Sequence, residues 1–266
     1  MKHLARRKIV FVIVEGPSDE TALGITLSQY FDNDAVYVHI MHGDITTRKG
    51  VNPQNIVSKI GNEIKAYAKS HHYKSVNFMQ IIHIVDTDGA YIPEENILED
   101  IESHELLYQD DGIHTNNKDK VVIRNKIKAE NLYRLRSCGS IWNIPYRVYY
   151  MSCNLDHVLY GKRNSSDDEK ENDAYNFAKM YRNENELFLK YICESEFSVK
   201  GDFKKSWEFI EEDMNSIERY TNLSVCFDEE NKKRKLHIHE VQTVDKGLRE
   251  IMFLGAFFSP LRRCFV

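Results

Sequence analysis

Nowhere in these 266 residues is there the run of roughly eighteen or more apolar residues that a membrane-spanning helix requires. The basic opening Met1–Lys8 has the charge of a signal-peptide n-region, yet the apolar stretch behind it, Ile9–Val14, stops at Glu15. That is short of the roughly 7–15 residues of an h-region. A cytoplasmic protein with no membrane association is the expectation. Paired cysteines are also lacking. The five present (Cys138, Cys153, Cys193, Cys226, Cys264) are odd in number, widely spaced and form no CxxC pair, which argues against a disulfide framework and a zinc ribbon and leaves thiols of a reducing compartment. Net positive charge is missing as well. With 36 Lys and Arg against 41 Asp and Glu, the formal charge is −5, so contact with nucleic acid would need a local basic patch. There is no phosphate loop of the GxxxxGK[ST] type, no internal repeat and no low-complexity tract. Any ATP-driven step would need a separate partner.

What is present is a pair of acidic clusters, each at the mouth of an apolar run. Ile9–Val14 empties into Glu15-Gly16-Pro17-Ser18-Asp19, and Met79–Val85 into Asp86-Thr87-Asp88-Gly89. Short Val- and Ile-rich runs bounded by Gly and Pro read as strands buried on both faces of a parallel sheet. Open α/β sheets bind ligands beyond the carboxyl ends of their strands. A helix is expected over about Asp19–Phe31 with Ser18 as its N-cap, a second strand over Ala35–Met41, and a helix over Asn52–Tyr67 whose Ile56, Ile60 and Ile64 share one face. This β-α-β-α-β alternation predicts a mainly parallel sheet. Residues 93–143 read as a polar insertion with a helix near Ile123–Leu135. Tyr146–Met151 reads as a fourth strand, with Asn154-Leu155-Asp156-His157 at its mouth. Beyond about residue 162 the composition turns helical, with expected helices over Asp173–Ser195 and Lys204–Tyr220.

Carboxylates gathered at one sheet edge repel one another, so at neutral pH they take up protons or hold cations. Hard divalent ions prefer such oxygen ligands. Read singly, Asp19 is a helix-start residue and Asp88 a turn residue ahead of Gly89. Read as a set with Asp156, they point to Mg²⁺ or Mn²⁺.

Val12–Glu20 (VIVEGPSDE) resembles the first motif of the Toprim superfamily, and Ile81–Ala90 (IIHIVDTDGA) resembles its second, the Asp-x-Asp strand end. Within that superfamily the pattern is closest to the OLD-type nucleases and the stand-alone Toprim proteins of phage defence, and Asn154-Leu155-Asp156-His157 has the form of their later acidic motif. The resemblance covers roughly residues 8–160. It implies a Toprim-like Rossmann-type α/β fold over 1–162, with the insertion at about 93–143 and a helical C-terminal region over 163–266. It also implies two-metal cleavage of nucleic-acid phosphodiesters, with Glu15, Asp19, Asp86, Asp88 and Asp156 holding two Mg²⁺ or Mn²⁺ ions. Glu15, Asp86 and Asp88 would be the catalytic core. A catalytic lysine goes with the resemblance, and Lys162, six residues past Asp156, is the candidate. The family's ATPase would have to come from a separate protein, and a homo-oligomer is compatible with the chain.

Two other readings stay open. An Asp-x-Asp strand end also occurs in metal-dependent glycosyltransferases, although that leaves Glu15-Gly16 without a role. The alternative is a non-catalytic docking or sensing module, with the apolar stretch Ile251–Phe258 (IMFLGAFF) buried against a partner, although a core strand or helix of the chain itself explains that stretch equally well. For a DNA or RNA substrate, the candidate basic patches are Arg124–Lys128, Arg134–Arg136 and Lys232–Lys235, with Tyr133 and Trp142 available for stacking. His237 and His239 alternate in a strand-like run and form a further pair of candidate ligands.

Overall fold

The computed structural model describes residues 8–31, 35–40 and 44–233. Within them, β1 (Ile9–Val14), β2 (Ala35–Ile40) and β3 (Phe78–Asp86) run parallel, with β1 between the other two. They are joined by α1 (Pro17–Tyr30) and α2 (Ile56–Ser70). Every position of β1 is buried, which explains its uninterrupted apolar composition: helices cover both faces of the strand. Successive side chains alternate between those faces. Ile9, Phe11 and Ile13 thus share one core with Ile56, Ile60 and Ile64 of α2, whose four-residue spacing puts them on one helical stripe.

The insertion is more regular than its polar composition suggests. β4 (Ile97–Glu99), β5 (Leu107–Gln109) and β6 (Gly112–Thr115) form a second, three-stranded sheet in the order β4-β6-β5. They are followed by α3 (Lys118–Arg136). The chain then returns through β7 (Ser140–Ile141) to β8 (Ile144–Met151), which lies parallel to β3 with Asp86 opposite Met151. The main sheet therefore reads β2-β1-β3-β8-β7, parallel except for β7. The molecule is a mixed α/β protein built on a parallel-rich open sheet.

Helices α4 (Leu155–Tyr160), α5 (Asp167–Tyr181), α6 (Asn185–Glu194) and α7 (Phe203–Ile210) follow, and the described residues end in a further helical stretch at 223–233. The continuous helix expected over Asp173–Ser195 is two helices, because Arg182 leaves helical geometry and Asn183 takes φ +65°. The one expected over Lys204–Tyr220 stops at Ile210, and the turns after it, with Asp213 at φ +44°, bring backbone carbonyls to the site loops. α5 packs on α1. α4–α7 lie in the same compact unit as the sheet, a unit that extends to Ser224.

The His237 and His239 pair, the Arg234-Lys235 end of the third basic patch and the apolar stretch at 251–258 lie outside the described residues. Among the described residues no helix is long and apolar enough to cross a membrane.

Gly112 shows how tightly the insertion folds. Its φ is +148°, and a Cβ added there would lie 1.8 Å from the carbonyl oxygen of Asn96. No side-chain flexibility can relieve a clash with backbone. Gly112→Ala is expected to cost about 3 kcal/mol or more and to lower the thermal midpoint by roughly 6–12 °C; a circular-dichroism melt superimposable on the wild type would refute the close approach.

Candidate active site at the carboxyl edge of the sheet

The first strand delivers Glu15 to the sheet edge, and the turn after it is held by its own helix. Gly16, not Ser18, is the N-cap of α1, because Pro17 suits the first helical position, where no N–H is needed. Asp19 then turns back: one of its carboxylate oxygens accepts from the N–H of Glu15 (3.2 Å) and of Gly16 (3.0 Å). Asp19 is thus a loop-fixing residue as well as a member of the acidic set. The third strand delivers Asp86, whose N–H donates to Glu15 Oε1 at 3.3 Å and joins the two strand mouths. The eighth delivers Asn154, whose Oδ1 caps α4 by accepting the His157 N–H at 2.8 Å and thereby places Asp156 in the first turn. Glu15, Asp19, Asp86 and Asp156 line one cleft of about 300 Å³, together with Lys170 of α5.

Asp88 has a different place. It takes φ +48° and is not among the residues lining that cleft. Its Oδ2 accepts from Lys128 Nζ at 2.5 Å and its Oδ1 from the Tyr108 hydroxyl at 3.3 Å. Lys128 Nζ also donates to Asp44 Oδ2 at 2.7 Å, and the lysine side chain is wholly buried. Two further α3 side chains hold the same turn: Arg124 donates to the Asp88 carbonyl (2.7 Å) and Asn125 Nδ2 to the Gly89 carbonyl (2.9 Å). The turn is braced from below by Ser216, whose carbonyl accepts from Thr87 Oγ1 (2.6 Å), from the Gly89 N–H (3.1 Å) and from the Cys153 N–H (2.9 Å).

Lys162, the lysine singled out from the sequence, is exposed and pairs with Asp173 at 2.5 Å. It does not line the cleft. The lysines nearest the carboxylates are Lys170, at the cleft wall, and Lys128. Sequence reasoning missed Asp44 and Tyr108 and placed Lys128 in a surface patch with Arg124, whereas both side chains turn inward to the Asp88 turn; a signal for the buried lysine exists. Val121, Asn125, Lys128, Leu132 and Leu135 fall on the buried stripe of α3, and a lysine at a core position needs carboxylate partners. Asp44 lies in the loop beyond β2, where nothing in the pattern marks it.

Burial and charge split the site in two. Burial pushes the Glu15 and Asp86 carboxyls well above the usual carboxylate range, and neighbouring carboxylates push further: Asp44 on Glu15, and Glu15 on Asp86. Burial also raises Asp19, against its backbone hydrogen bonds, and raises Asp156 to about 6. Burial acts upward on Asp44 too, but the Lys128 charge and the hydrogen bonds from Lys128, Thr46 and Thr47 overcome it and leave the carboxyl at about 2. Lys128 answers in kind: burial lowers it, and Asp88 and Asp44 more than reverse that.

One half, Asp44–Lys128–Asp88, shares one lysine between two carboxylates, whereas among the described residues Glu15, Asp86 and Asp156 have no cation at hydrogen-bond distance and only Lys170 at the cleft wall. Their hard oxygen donors suit a divalent cation. Among the described residues no group of three or more His, Cys, Asp or Glu side chains is drawn together closely enough to hold a metal ion as it stands, and the reason is visible in two of the five carboxylates. Asp19 is turned onto backbone N–H groups and Asp88 onto Lys128. Compared with protein-family models, curated proteins and solved structures, the chain has no match.

Two outcomes test this division. Replacing Lys128 by Met leaves Asp44 and Asp88 buried without their cation, and should cost about 3–5 kcal/mol in denaturant unfolding at pH 7. Glu15→Gln should act oppositely. A carboxyl whose folded pKa is raised destabilises the fold at pH above that value, and the penalty fades as pH falls towards the unfolded value near 4.3. In chelator the variant should therefore be more stable than wild type at pH 7 and indistinguishable from it at about pH 4; a lower stability at pH 7 would contradict the assigned strain.

Proposed function

We propose that this chain is a Toprim-type, divalent-metal-dependent nuclease that hydrolyses nucleic-acid phosphodiester bonds. The observation that carries the reading is the cleft itself: Glu15 from the β1 mouth, Asp86 from the β3 mouth and Asp156 from the β8 mouth, together with Asp19, face one space in which Lys170 is the single lining cation. The residues that resemble Toprim motifs are the ones at these three strand ends. A cation bound there supplies Lewis-acid charge on phosphate oxygens and a water of lowered pKa.

The protein groups have separable duties. Glu15, Asp86 and Asp156 would hold the cation, and Asp19 fixes the backbone that carries Glu15. Lys128 and Arg124 hold the Asp88 turn in place beside the cleft. Two ions remain part of the proposal, but Asp88 can join a second one only by giving up its bond to Lys128. A role in antiphage defence beside a separate ATPase rests on the resemblance alone.

A second reading, a non-catalytic docking or sensing module, is favoured by that same buried ion triad, since a lysine between Asp44 and Asp88 already occupies the space a second cation would use. One panel separates the two. Supercoiled DNA, single-stranded DNA and total tRNA are incubated with Mg²⁺ or Mn²⁺ and wild type, Glu15→Ala or Asp86→Ala. The nuclease should cut at least one substrate, and each substitution should reduce the rate roughly a thousandfold, the scale of deleting one transition-state-stabilising group. Calorimetric Mn²⁺ affinity should also weaken as pH falls through about 6, because Asp156 there takes up a proton that competes with the cation. No cutting and no heat of Mn²⁺ binding would sink the nuclease and leave the docking module.

A further inference from the structure

A second cleft, of about 260 Å³, opens between the last turn of α3, the outward side of β8 and α7. It is lined by Tyr133, Arg136, Arg147, Phe203, Lys204 and Trp207, with Ser137 and Glu208 at its edge. Its chemistry is the reverse of the first cleft: cations interleaved with rings. Arg147 is an exposed strand residue whose guanidinium lies over the Phe203 ring at 4.6 Å. It has no ion-pair partner among the described residues. Arg136 stands over Tyr133 at 4.9 Å and is tied to Glu211 at 2.7 Å, while Lys204 reaches Glu208 at 3.4 Å. Those two pairs cancel, and Arg147 is left as uncompensated positive charge.

Two observations in the cleft ask for a ligand. Tyr133 is 60 % exposed, with Arg136 over its ring, and so offers an accessible aromatic surface at the cleft. Trp207 is 1 % exposed, and its indole N–H is buried with no acceptor. An indole can only donate, so the group stays unsatisfied until an acceptor enters.

We propose that this cleft binds an unpaired nucleotide of a nucleic-acid strand, with phosphate on Arg147 and the base against Tyr133. Guanidinium groups suit phosphate oxygens, and ring faces accept bases of any sequence, but only bases free of their own duplex stack. The proposal rests on the nuclease reading and deepens it by naming single strands, or single-stranded parts of folded RNA, as the substrate class. α3 runs from the Asp88 turn to this cleft. Arg136 lies eight residues beyond Lys128 on the same helix, about 12 Å along its axis, which is the length of helix between the cleft and the Asp88 turn.

The test uses fluorescence anisotropy with 5′-fluorescein oligo(dT) and oligo(U) 12-mers and a 12-base-pair duplex, in EDTA so that neither cleavage nor metal contributes. One or both single strands should bind at least about tenfold tighter than the duplex, and Arg147→Glu and Tyr133→Ala should each weaken that binding about tenfold or more, the scale of one stacked base. Thermal midpoints of the variants should match the wild type. Lys65→Glu, an exposed change on α2, should alter binding less than about twofold, since a lone exposed charge contributes little. The dT and U arms decide between DNA and RNA. Equal affinity for duplex, unchanged binding by both cleft variants, an equal loss with Lys65→Glu, or no binding at all would each overturn the proposal. The two readings therefore fail separately: strand binding that depends on Arg147 without any cleavage would spare the cleft and sink the nuclease, and cleavage without that dependence would do the opposite.

Discussion

A lysine ammonium removed from water must be surrounded by opposite charge, since the effective penalty for an unpaired buried ion is several kcal/mol. Lys128 meets that requirement with Asp44 and Asp88, and each partner comes from a different part of the chain. Asp44 follows β2, Asp88 follows β3, and Lys128 rides on the helix of the insertion. The triad therefore fixes the insertion to the sheet at one point. Arg124 and Asn125, one turn earlier on α3, donate to the carbonyls of Asp88 and Gly89, so the same helix determines the shape of the turn whose φ values at Asp88 and Gly89 are both positive. Without α3, neither the left-handed turn nor the inward lysine would have a reason to persist.

That arrangement explains why carboxylates a few residues apart behave so differently. Lys128 holds Asp44 ionised far below the usual range, yet its pull on Glu15 and Asp86 is outweighed by burial and by the other carboxylates. The result is an asymmetric edge, with one side settled by protein cations and the other at a free-energy disadvantage whenever it is ionised. Such strain is typical of sites where charge is supplied by a ligand, and it gives the Glu15 side the stronger demand for a cation. On the Asp88 side the buried Lys128 already fills that role for Asp44 and Asp88.

The strands and their acidic mouths were legible because both follow from simple patterns: apolar runs buried on two faces, and polar residues where those runs end. Glu15, Asp86 and Asp156 could thus be placed at one edge from sequence, and the structure brings them to one cleft. The partners of Asp88 were not legible, since Asp44 and Tyr108 come from irregular segments with no period to read. Lys128 carried a signal that a polar reading of the insertion hid: a charged residue in phase with Val121, Leu132 and Leu135. The helix boundaries after residue 163 failed for a related reason. Helical periodicity continues through 182–184 and 211–220 in composition, but Asn183 and Asp213 adopt left-handed geometry, and the competing demand there is tertiary.

That demand is clearest at 211–221, the segment that follows α7. Ser216 supplies the carbonyl shared by Thr87, Gly89 and Cys153 and a hydroxyl that accepts from the Tyr91 N–H at 3.2 Å; Asn215 and Glu218 offer carbonyls to Ser152 Oγ, and Thr221 Oγ1 donates to the Tyr150 carbonyl at 2.7 Å. A helix would have spent these carbonyls on itself. By unwinding, the segment satisfies the buried polar groups of two strand mouths at once, and it does so from the end of the helix that carries Phe203 and Trp207. The carboxylate edge and the aromatic cleft are consequently braced by one continuous stretch, α7 with its following turns, just as they are joined on the other side by α3. Two rigid elements spanning the same pair of sites leave little freedom for either to move alone, so the spacing between them is set by the fold and not by a flexible linker.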